Sequence, residues 1–456
     1  MKLSRSRIRA RVKHDLPITF SHESISAHAG LELFRRYLEA IDLPNRLHQA
    51  LGDVGDYGAV RLVRVVIGLL LAGGRRLAHL AVVSRDPIVL RFAGVHRMPT
   101  DRTISRWMAG AAQTIVEAVA SLVRDVAHDA IEALALGRLT LDLDGSVLRV
   151  CGDAEGAERG YSPHHPKDRS YYPLTAHLAQ TGHLLRSWNR PGNVHDSHNA
   201  DGFLRSVLAE LRARFGCRHR LELRMDGAFF DPKILRFLDG ETLGYAIKVP
   251  LWKWLGLREK IARQRYWARV DATVSGFAVR LKIPQWQRIQ RVVVYRKRVF
   301  HETQRNFQLD LFNPDDGHYE YSAVATNLDL GVAALWHFMA GRGGHEKTLG
   351  ELKQHLAFDA IPSRNRQTND LWQQLSILTH NLVRSFQLCL GAPVRPRTRK
   401  RTFLFRFLSL QTLRFTLLDQ PARIVRPAGR AELRFAVSPI TQRRIQDVDR
   451  RIRRAA

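Results

Sequence analysis

Leu141-Asp142-Leu143-Asp144-Gly145-Ser146 alternates apolar and acidic side chains and then breaks at a glycine. Alternation with a period of two marks a half-buried strand. Its two aspartates then share one face and its two leucines the other. Neighbouring carboxylates repel each other and stay ionised together only beside a cation or a basic counter-charge. Taken alone, the stretch fits a strand end whose acids are solvated or paired to arginine. Acids that recur in similar settings later in the chain shift the balance towards a site.

Outward from this strand the texture is that of a mixed α/β layer. Val147–Cys151, Leu174–Leu178 and Leu184–Trp188 read as strands, the last two joined by the turn Gln180-Thr181-Gly182. Asp201–Phe215 is an amphipathic helix, and Leu221–Met225 is a strand ended by Asp226-Gly227. Glu222, Arg224 and Asp226 share one face of it. Asp231 reads as the N-cap of a short helix with Pro232 at its first position, and Tyr245–Val249 is the next strand. From Trp252 to Leu330 helices are scarce, and Val270–Leu281, Arg291–Tyr295 and Tyr319–Ala325 are strand-like, which predicts a β-rich insertion. Trp252, Trp254, Trp267 and Trp286 lie there among Arg and Lys. Basic residues interleaved with aromatics can grip single-stranded bases, and packing of the insertion's own small core is the competing reading.

The flanks are helical and basic. Leu31, Phe34, Leu38 and Ile41 fit one helix face, Val60–Ala72 reads as a buried helix, and Thr103–Leu136 as a long helix with Thr100 as its N-cap. A helix-turn-helix over Asp86–Trp107 and an ordinary bundle both fit. Further on come Leu330–Met339, His345–Leu356 and Leu371–Leu390. Residues 391–456 hold 17 Arg or Lys against 4 Asp or Glu, with strand-like pieces at Phe403–Phe407 and Arg423–Arg426 and an arginine-rich final helix. These textures divide the chain into a helical basic region over 1–135, core segments over 136–250 and 331–392, the insertion over 251–330 and a basic tail over 393–456.

The 456 residues carry a formal net charge of +29 at ordinary hydrophobic content, which favours a polyanionic partner. The longest apolar run, Val65–Ala72, is far shorter than a membrane span, and the basic arm Met1–Lys13 lacks the apolar segment of a signal peptide, so a cytoplasmic protein is expected. Cys151, Cys217 and Cys389 are isolated, give neither a disulfide framework nor a zinc knuckle, and are expected as buried free thiols. The histidines at 164, 165, 177, 183, 195 and 198 crowd one region, lack a cysteine partner at zinc spacing and read as loop and turn residues or DNA contacts.

The acids worth comparing are Asp142, Asp144, Asp226, Glu346 and Glu351. Asp144 and Asp226 each end a strand before a glycine, and strand ends are where α/β sheets build sites. At 100° per residue, Leu349, Leu352 and Leu356 form one helix stripe with Glu346 at its edge facing the sheet, while Glu351 points to solvent. Three such carboxylates can hold a pair of Mg²⁺ ions, which take oxygen ligands and keep several waters. Two such ions activate an attacking oxygen and stabilise a leaving one in phosphoryl transfer.

At these residues the chain resembles the bacterial insertion-sequence DDE transposases, with an RNase H-like catalytic core. The resemblance rests on Asp144-Gly145-Ser146, on Arg224-Met225-Asp226-Gly227 and on a helical signature Tyr-x2-Arg-x3-Glu-x6-Lys. Arg342, Glu346 and Lys353 stand at those spacings, and Met339 replaces the Tyr, which in the family helps hold a DNA phosphate. Tyr171-Tyr172-Pro173-Leu174, Arg190-Pro191-Gly192-Asn193 and Gly350-Glu351-Leu352-Lys353 resemble the thirteen-eighty branch of the insertion-sequence-four superfamily.

The resemblance implies an RNase H-like mixed sheet interrupted by the β-rich insertion and preceded by the all-helical region. It implies Asp144, Asp226 and Glu346 as ligands of Mg²⁺, with Mn²⁺ able to substitute, and Arg342 and Lys353 as contacts of the cleaved DNA end. Asp142 shares the face of Asp144 and competes for the first position. The implied activity is binding of terminal inverted repeats, cleavage of the ends and their joining to target double-stranded DNA. The setting would be the bacterial nucleoid, with a homodimer in the synaptic complex. An inactive DNA-binding relative and a nuclease that never joins strands are the alternatives.

Overall fold

A computed structural model describes residues 16–455 apart from 17, 22, 53–55, 112, 161–166, 300–318 and 395–404. The basic arm at 1–13, His164-His165, the arginine run 395–401 and the expected strand start at Phe403 lie outside the described residues.

The opening stretch is β1 (Arg138–Gly145), an interior strand of one large mixed sheet. β2 (Leu174–Leu178) and β3 (Leu184–Trp188) follow it as an antiparallel hairpin and end the sheet on one side. On its other side β1 pairs in parallel with β4 (Arg220–Met225), and β4 in parallel with β5 (Gly244–Lys248). The expected insertion forms no separate layer. Its strands β6 (Val274–Ile283), β7 (Arg288–Arg298) and β8 (Tyr319–Thr326) continue the same sheet, through the antiparallel register Ala325↔Ile247. Val292, Val294, Ala323 and Ala325 join the apolar cluster that also holds Leu141 and Leu143. Trp267 and Trp286 pack against that cluster, whereas Trp252 and Trp254 stack on each other with centroids 5.3 Å apart and stay 38% and 46% exposed.

The helices complete two apolar faces. Numbered in chain order, the N-terminal region supplies α1 (Leu31–Ala40), α2 (Leu43–Leu51), α3 (Ala59–Leu71), α4 (Pro87–Ala93), α5 (Asp101–Gly110) and α6 (Gln113–Ala133). Thr100 caps α5 through the Thr103 amide, and the expected long helix is broken where Ala111 turns extended. The region is not wholly helical, since Ile25–Ser26 pairs with Ala422–Val425 of the tail. Next, α7 (Ala200–Phe215) and α8 (Pro232–Gly240) cover the leucine face of β1. α8 provides the crossover that the parallel pair β4–β5 requires, and Asp231 caps it through the amides of Lys233 and Ile234. α9 (Val332–Ala340), α10 (Gly343–Leu356) and α11 (Arg366–Cys389) follow. Asn381 of the nearly all-buried α11 bonds to Val123 of α6 and to both backbone groups of Leu184 in β3.

The tail is part of the packed body. Leu410, Leu413, Leu417 and Leu418 are buried in the cluster of the N-terminal helices, and α12 (Pro439–Ala455) lies on α1, where Arg36 Nη1 donates to Asp449 at 2.5 Å. The cysteine expectation is corrected. Cys151 follows a two-residue strand, Cys217 sits in the turn closing α7, both are exposed, and Cys389 is half-buried.

Asp142 lies opposite Arg224 in the parallel register and opposite His177 in the antiparallel one. Arg224 grips it with two hydrogen bonds of 2.6 Å, and His177 Nε2 approaches to 3.8 Å. The third Arg224 contact goes to the Phe338 carbonyl of α9 at 2.7 Å. Arg224 and Asp142 are each 1% exposed, so removing one leaves a buried charge uncompensated. Asp142→Ala is expected to cost about 3–5 kcal/mol in a denaturant melt. A loss under about 1 kcal/mol would mean that the pair is not what holds β1 to β4.

Candidate active site

The parallel register places the two strand-end acids. Asp142 faces Arg224, and two residues further along both strands stand Asp144 and Asp226. Both lie at the C-terminal edge of adjacent parallel strands, the position where open α/β sheets build sites. Asp144 is a residue of β1 with its side chain 17% exposed, and Asp226 stands just past β4 with its side chain 32% exposed. Asp226 Oδ1 accepts from the Ala228 amide at 3.1 Å, which fixes the turn after β4.

Two elements of the helical layer close the site. Arg342 sits at the N-terminus of α10, only 7% exposed, and points inward. Its Nη2 lies 3.0 Å from Asp144 Oδ2 and 3.8 Å from Asp226 Oδ2, and also 3.4 Å from the Leu143 carbonyl. Just before it, α9 is closed by Gly341, where a Cβ would come within 2.2 Å of Arg224 Nη1, so glycine leaves room for that guanidinium. His345, one turn on, is 1% exposed; its Nε2 is 3.7 Å from Asp144 Oδ2, and its Nδ1 is in short contact with His177 Nδ1. Burial, and then the neighbouring His177, pushes His345 well below the usual histidine range, so it is neutral. Neither Arg342 Nε nor His345 Nε2 has a hydrogen-bond partner among the described residues.

Glu346 occupies the first turn of α10, exposed, beside the leucine stripe Leu349, Leu352 and Leu356, which is buried as expected. Its charge bears on both Asp144 and Arg342. Lys353 is half-buried, and its Nζ donates to the Val147 carbonyl at 3.1 Å, just past the strand that carries Asp144. Burial lowers its pKa. Met339 is 9% exposed and packs with Phe338 and Leu335 against the sheet. The expectation for Glu351 is corrected: Arg384 of α11 bonds it at 2.6 Å and the Leu410 amide caps it, so its side chain is 11% exposed rather than solvated.

Asp196 escaped the sequence reading, which treated residues 195–198 as a loop. The loop folds over the end of β1, and Asp196 Oδ2 accepts the Tyr172 hydroxyl at 2.8 Å. The signal lay in Tyr172 and Arg190, quoted only as marks of resemblance.

Burial lifts the Asp144 carboxyl to about 7; Arg342 opposes the rise, while the charges of Asp226, Asp196 and Glu346 add to it. Burial likewise raises Asp196. The donor set is all oxygen, which suits a hard divalent cation, and its excess of negative charge calls for one. No group of three or more His, Cys, Asp or Glu among the described residues forms a ready-made metal cluster. The guanidinium of Arg342 spans the two strand-end acids instead.

The sequence signature of the family described as Transposase DDE domain group 1 matches residues 9–456. No curated protein sequence matches the chain. Among solved structures it is similar to a piggyBac transposase synaptic complex with hairpin DNA. The identity is 11% and the TM-score 0.42, over 85% of this chain and 80% of that one.

The raised carboxyl has a consequence for stability without metal. The folded protein keeps a proton on Asp144 that the unfolded chain releases between 3.8 and about 7. The stability it contributes is therefore fully present below pH 3.8, declines through that window, and is gone once pH passes about 7. Asp144→Asn, which removes the charge while Arg342 keeps Asp226, should melt a few degrees above the wild type at pH 8 in chelator, with the gain shrinking as pH falls and closing only near pH 3.8. A variant that melts lower at pH 8 would show that the Arg342 pair outweighs burial.

Proposed function

The chain belongs to the transposases that carry the group 1 DDE domain, and from that premise we propose that it binds the terminal inverted repeats of its own insertion sequence, cuts the DNA ends and joins them to target DNA. The observation that carries this reading is the parallel β1–β4 register, which sets Asp144 and Asp226 at neighbouring strand ends while Glu346 bears on Asp144 from α10. These three residues would hold Mg²⁺ or Mn²⁺. Bound there, such ions supply activation of an attacking oxygen and stabilisation of the leaving one in in-line phosphoryl transfer. The attacking groups are water for cleavage and a DNA 3′-hydroxyl for joining.

The chain's own residues do the rest. Asp142 is taken up by Arg224 and holds the two strands in register, which leaves Asp144 as the ligand of β1. Arg342 and Lys353 place two cationic side chains beside that ligand, the first against its carboxylate and the second across the strand's exit. Both are assigned to the cleaved end, where a phosphate would replace part of their present partners. The side chain of Met339 is packed inside, so the phosphate contact made by a Tyr at this position in the family has no counterpart in this side chain.

The net charge of +29 draws the duplex in without reading its sequence. The exposed arginines of α12 belong to that field. Two copies, one at each end, would act together on the nucleoid of a bacterium. No helix among the described residues is long and apolar enough to cross a membrane.

Asp226→Asn and Glu346→Gln should each lower metal-dependent cleavage and strand transfer on end-containing DNA by on the order of 100-fold or more, with end binding intact in a gel-shift assay. Retained cutting by either variant removes that residue from the catalytic set. A second test addresses the charge. Arg443, Arg450 and Arg454 are exposed on α12, and their joint replacement by Gln should weaken DNA binding and flatten its dependence on log salt by about 0.9 for each phosphate no longer neutralised. An unchanged slope would exclude α12 from the DNA path.

A further inference from the structure

Two motifs remain without a part in the chemistry: Tyr171-Tyr172-Pro173-Leu174 and Arg190-Pro191-Gly192-Asn193. In the fold they meet, since Tyr171 bridges to Pro191 and the Tyr172 amide donates to the Arg190 carbonyl at 2.7 Å. Arg190 is 1% exposed, and its guanidinium donates to the carbonyls of Tyr172, His195, Asp196 and His198 at 3.2–3.3 Å. A buried arginine is thus given over to shaping one short loop. What the loop presents is the Asp196 carboxylate, 7% exposed, held by the Tyr172 hydroxyl at 2.8 Å and by Arg190 Nη2 at 3.5 Å.

That carboxylate lies against the residue after Asp144. A Cβ at Gly145 would come within 2.2 Å of Asp196 Oδ1 and 2.5 Å of the Tyr172 ring, so glycine is required there to let the acid in. The charge of Asp196 bears on Asp144, and the charge of Asp226 bears on Asp196. A second acid buried beside the first is costly unless positive charge is bound between them. The cleft independently draws positive and polar groups. Arg342 spans Asp144 and Asp226, and the buried His345 turns an unpartnered Nε2 to Asp144 at 3.7 Å.

We propose that Asp196 is a fourth carboxylate of the cation-binding cleft and a positioning residue for it: Tyr172 and Arg190 hold it beside Asp144 and Asp226, where its charge sets the affinity for a divalent cation. The proposal rests on the reading of Asp144, Asp226 and Glu346 as the acids that hold that cation. The bland alternative is that Asp196 merely fastens its own loop through Arg190. Replacement by Asn separates the two, because the amide oxygen still accepts from Tyr172 while the charge is gone.

The test is calorimetric titration of Mn²⁺ into the full chain without DNA, alongside thermal melts in chelator. Asp196→Asn is expected to bind Mn²⁺ about ten-fold more weakly, in the range by which residues around a metal site commonly tune affinity, with its melting temperature in chelator held or raised, and Asp196→Glu to recover part of the loss. Wild-type affinity in Asp196→Asn overturns the proposal and leaves the three-acid reading standing. No Mn²⁺ binding by the wild type overturns both. Should Asp196→Asn fail to fold, Tyr172→Phe keeps the carboxylate and removes its donor. A loss of affinity of a few-fold then supports the proposal, and no loss overturns it.

Discussion

The structure depends on the ion pair between Asp142 and Arg224. Both side chains are sealed from solvent in the middle of the sheet, where an isolated charge would be far more costly than any one hydrogen bond. The sheet makes the pair tolerable by placing the partners directly opposite each other in a parallel register and by giving the guanidinium a third acceptor on Phe338. A slip of one residue would turn every leucine of β1 to the helix side that carries charge and would separate the pair. The ion pair therefore locks the register, and the register aligns Asp144 with Asp226. The same arginine bonds the Phe338 carbonyl of α9 and leaves room only for glycine at 341, the residue that leads from α9 towards Arg342 and α10.

Two aspartates on one face of one strand consequently meet opposite fates. Asp142 has a dedicated arginine and a flanking histidine, and it stabilises the fold. Asp144, two residues on, is only partly enclosed and shares a single arginine with Asp226 among further acids, and its carboxyl rises to about 7. Concentrating unbalanced charge at one strand end costs stability, as sites built for a ligand generally do. His177 and His345, both held neutral by burial, add no positive charge that would settle the imbalance.

Much of this was legible in the chain. The alternation of Leu141–Asp144 gave the strand and its acidic face, Asp-Gly at 226–227 gave the second strand end, and the spacing from Arg342 to Lys353 gave the helix. Those signals are local, set by backbone period and turn chemistry. What could not be read depends on partners far along the chain. Glu351 looked solvent-facing on a helical wheel, but Arg384 and Leu410 cover it. The insertion looked separate because composition says nothing of which edge a strand will join; Ala325 joins Ile247. The tail reads as a basic segment with strand-like pieces and a final helix, and its packing on the N-terminal helices stays hidden because its arginines outnumber its buried leucines. Asp196 sat in a stretch without periodicity, and only the buried Arg190 reveals why that loop has one shape.

Arg342 shows how residue type and position can agree while the present contact differs. The resemblance places it at a DNA end, and the fold turns it inward to Asp144 Oδ2 and Asp226 Oδ2. A guanidinium does not give up its charge at any working pH, so it is a permanent counter-ion to whatever it faces. Under the proposed assignment Asp144 and Asp226 would hold a divalent cation, and Arg342 already neutralises part of the charge of both. Its Nε, buried and without a hydrogen-bond partner among the described residues, leaves this counter-ion incompletely satisfied by the two acids it faces.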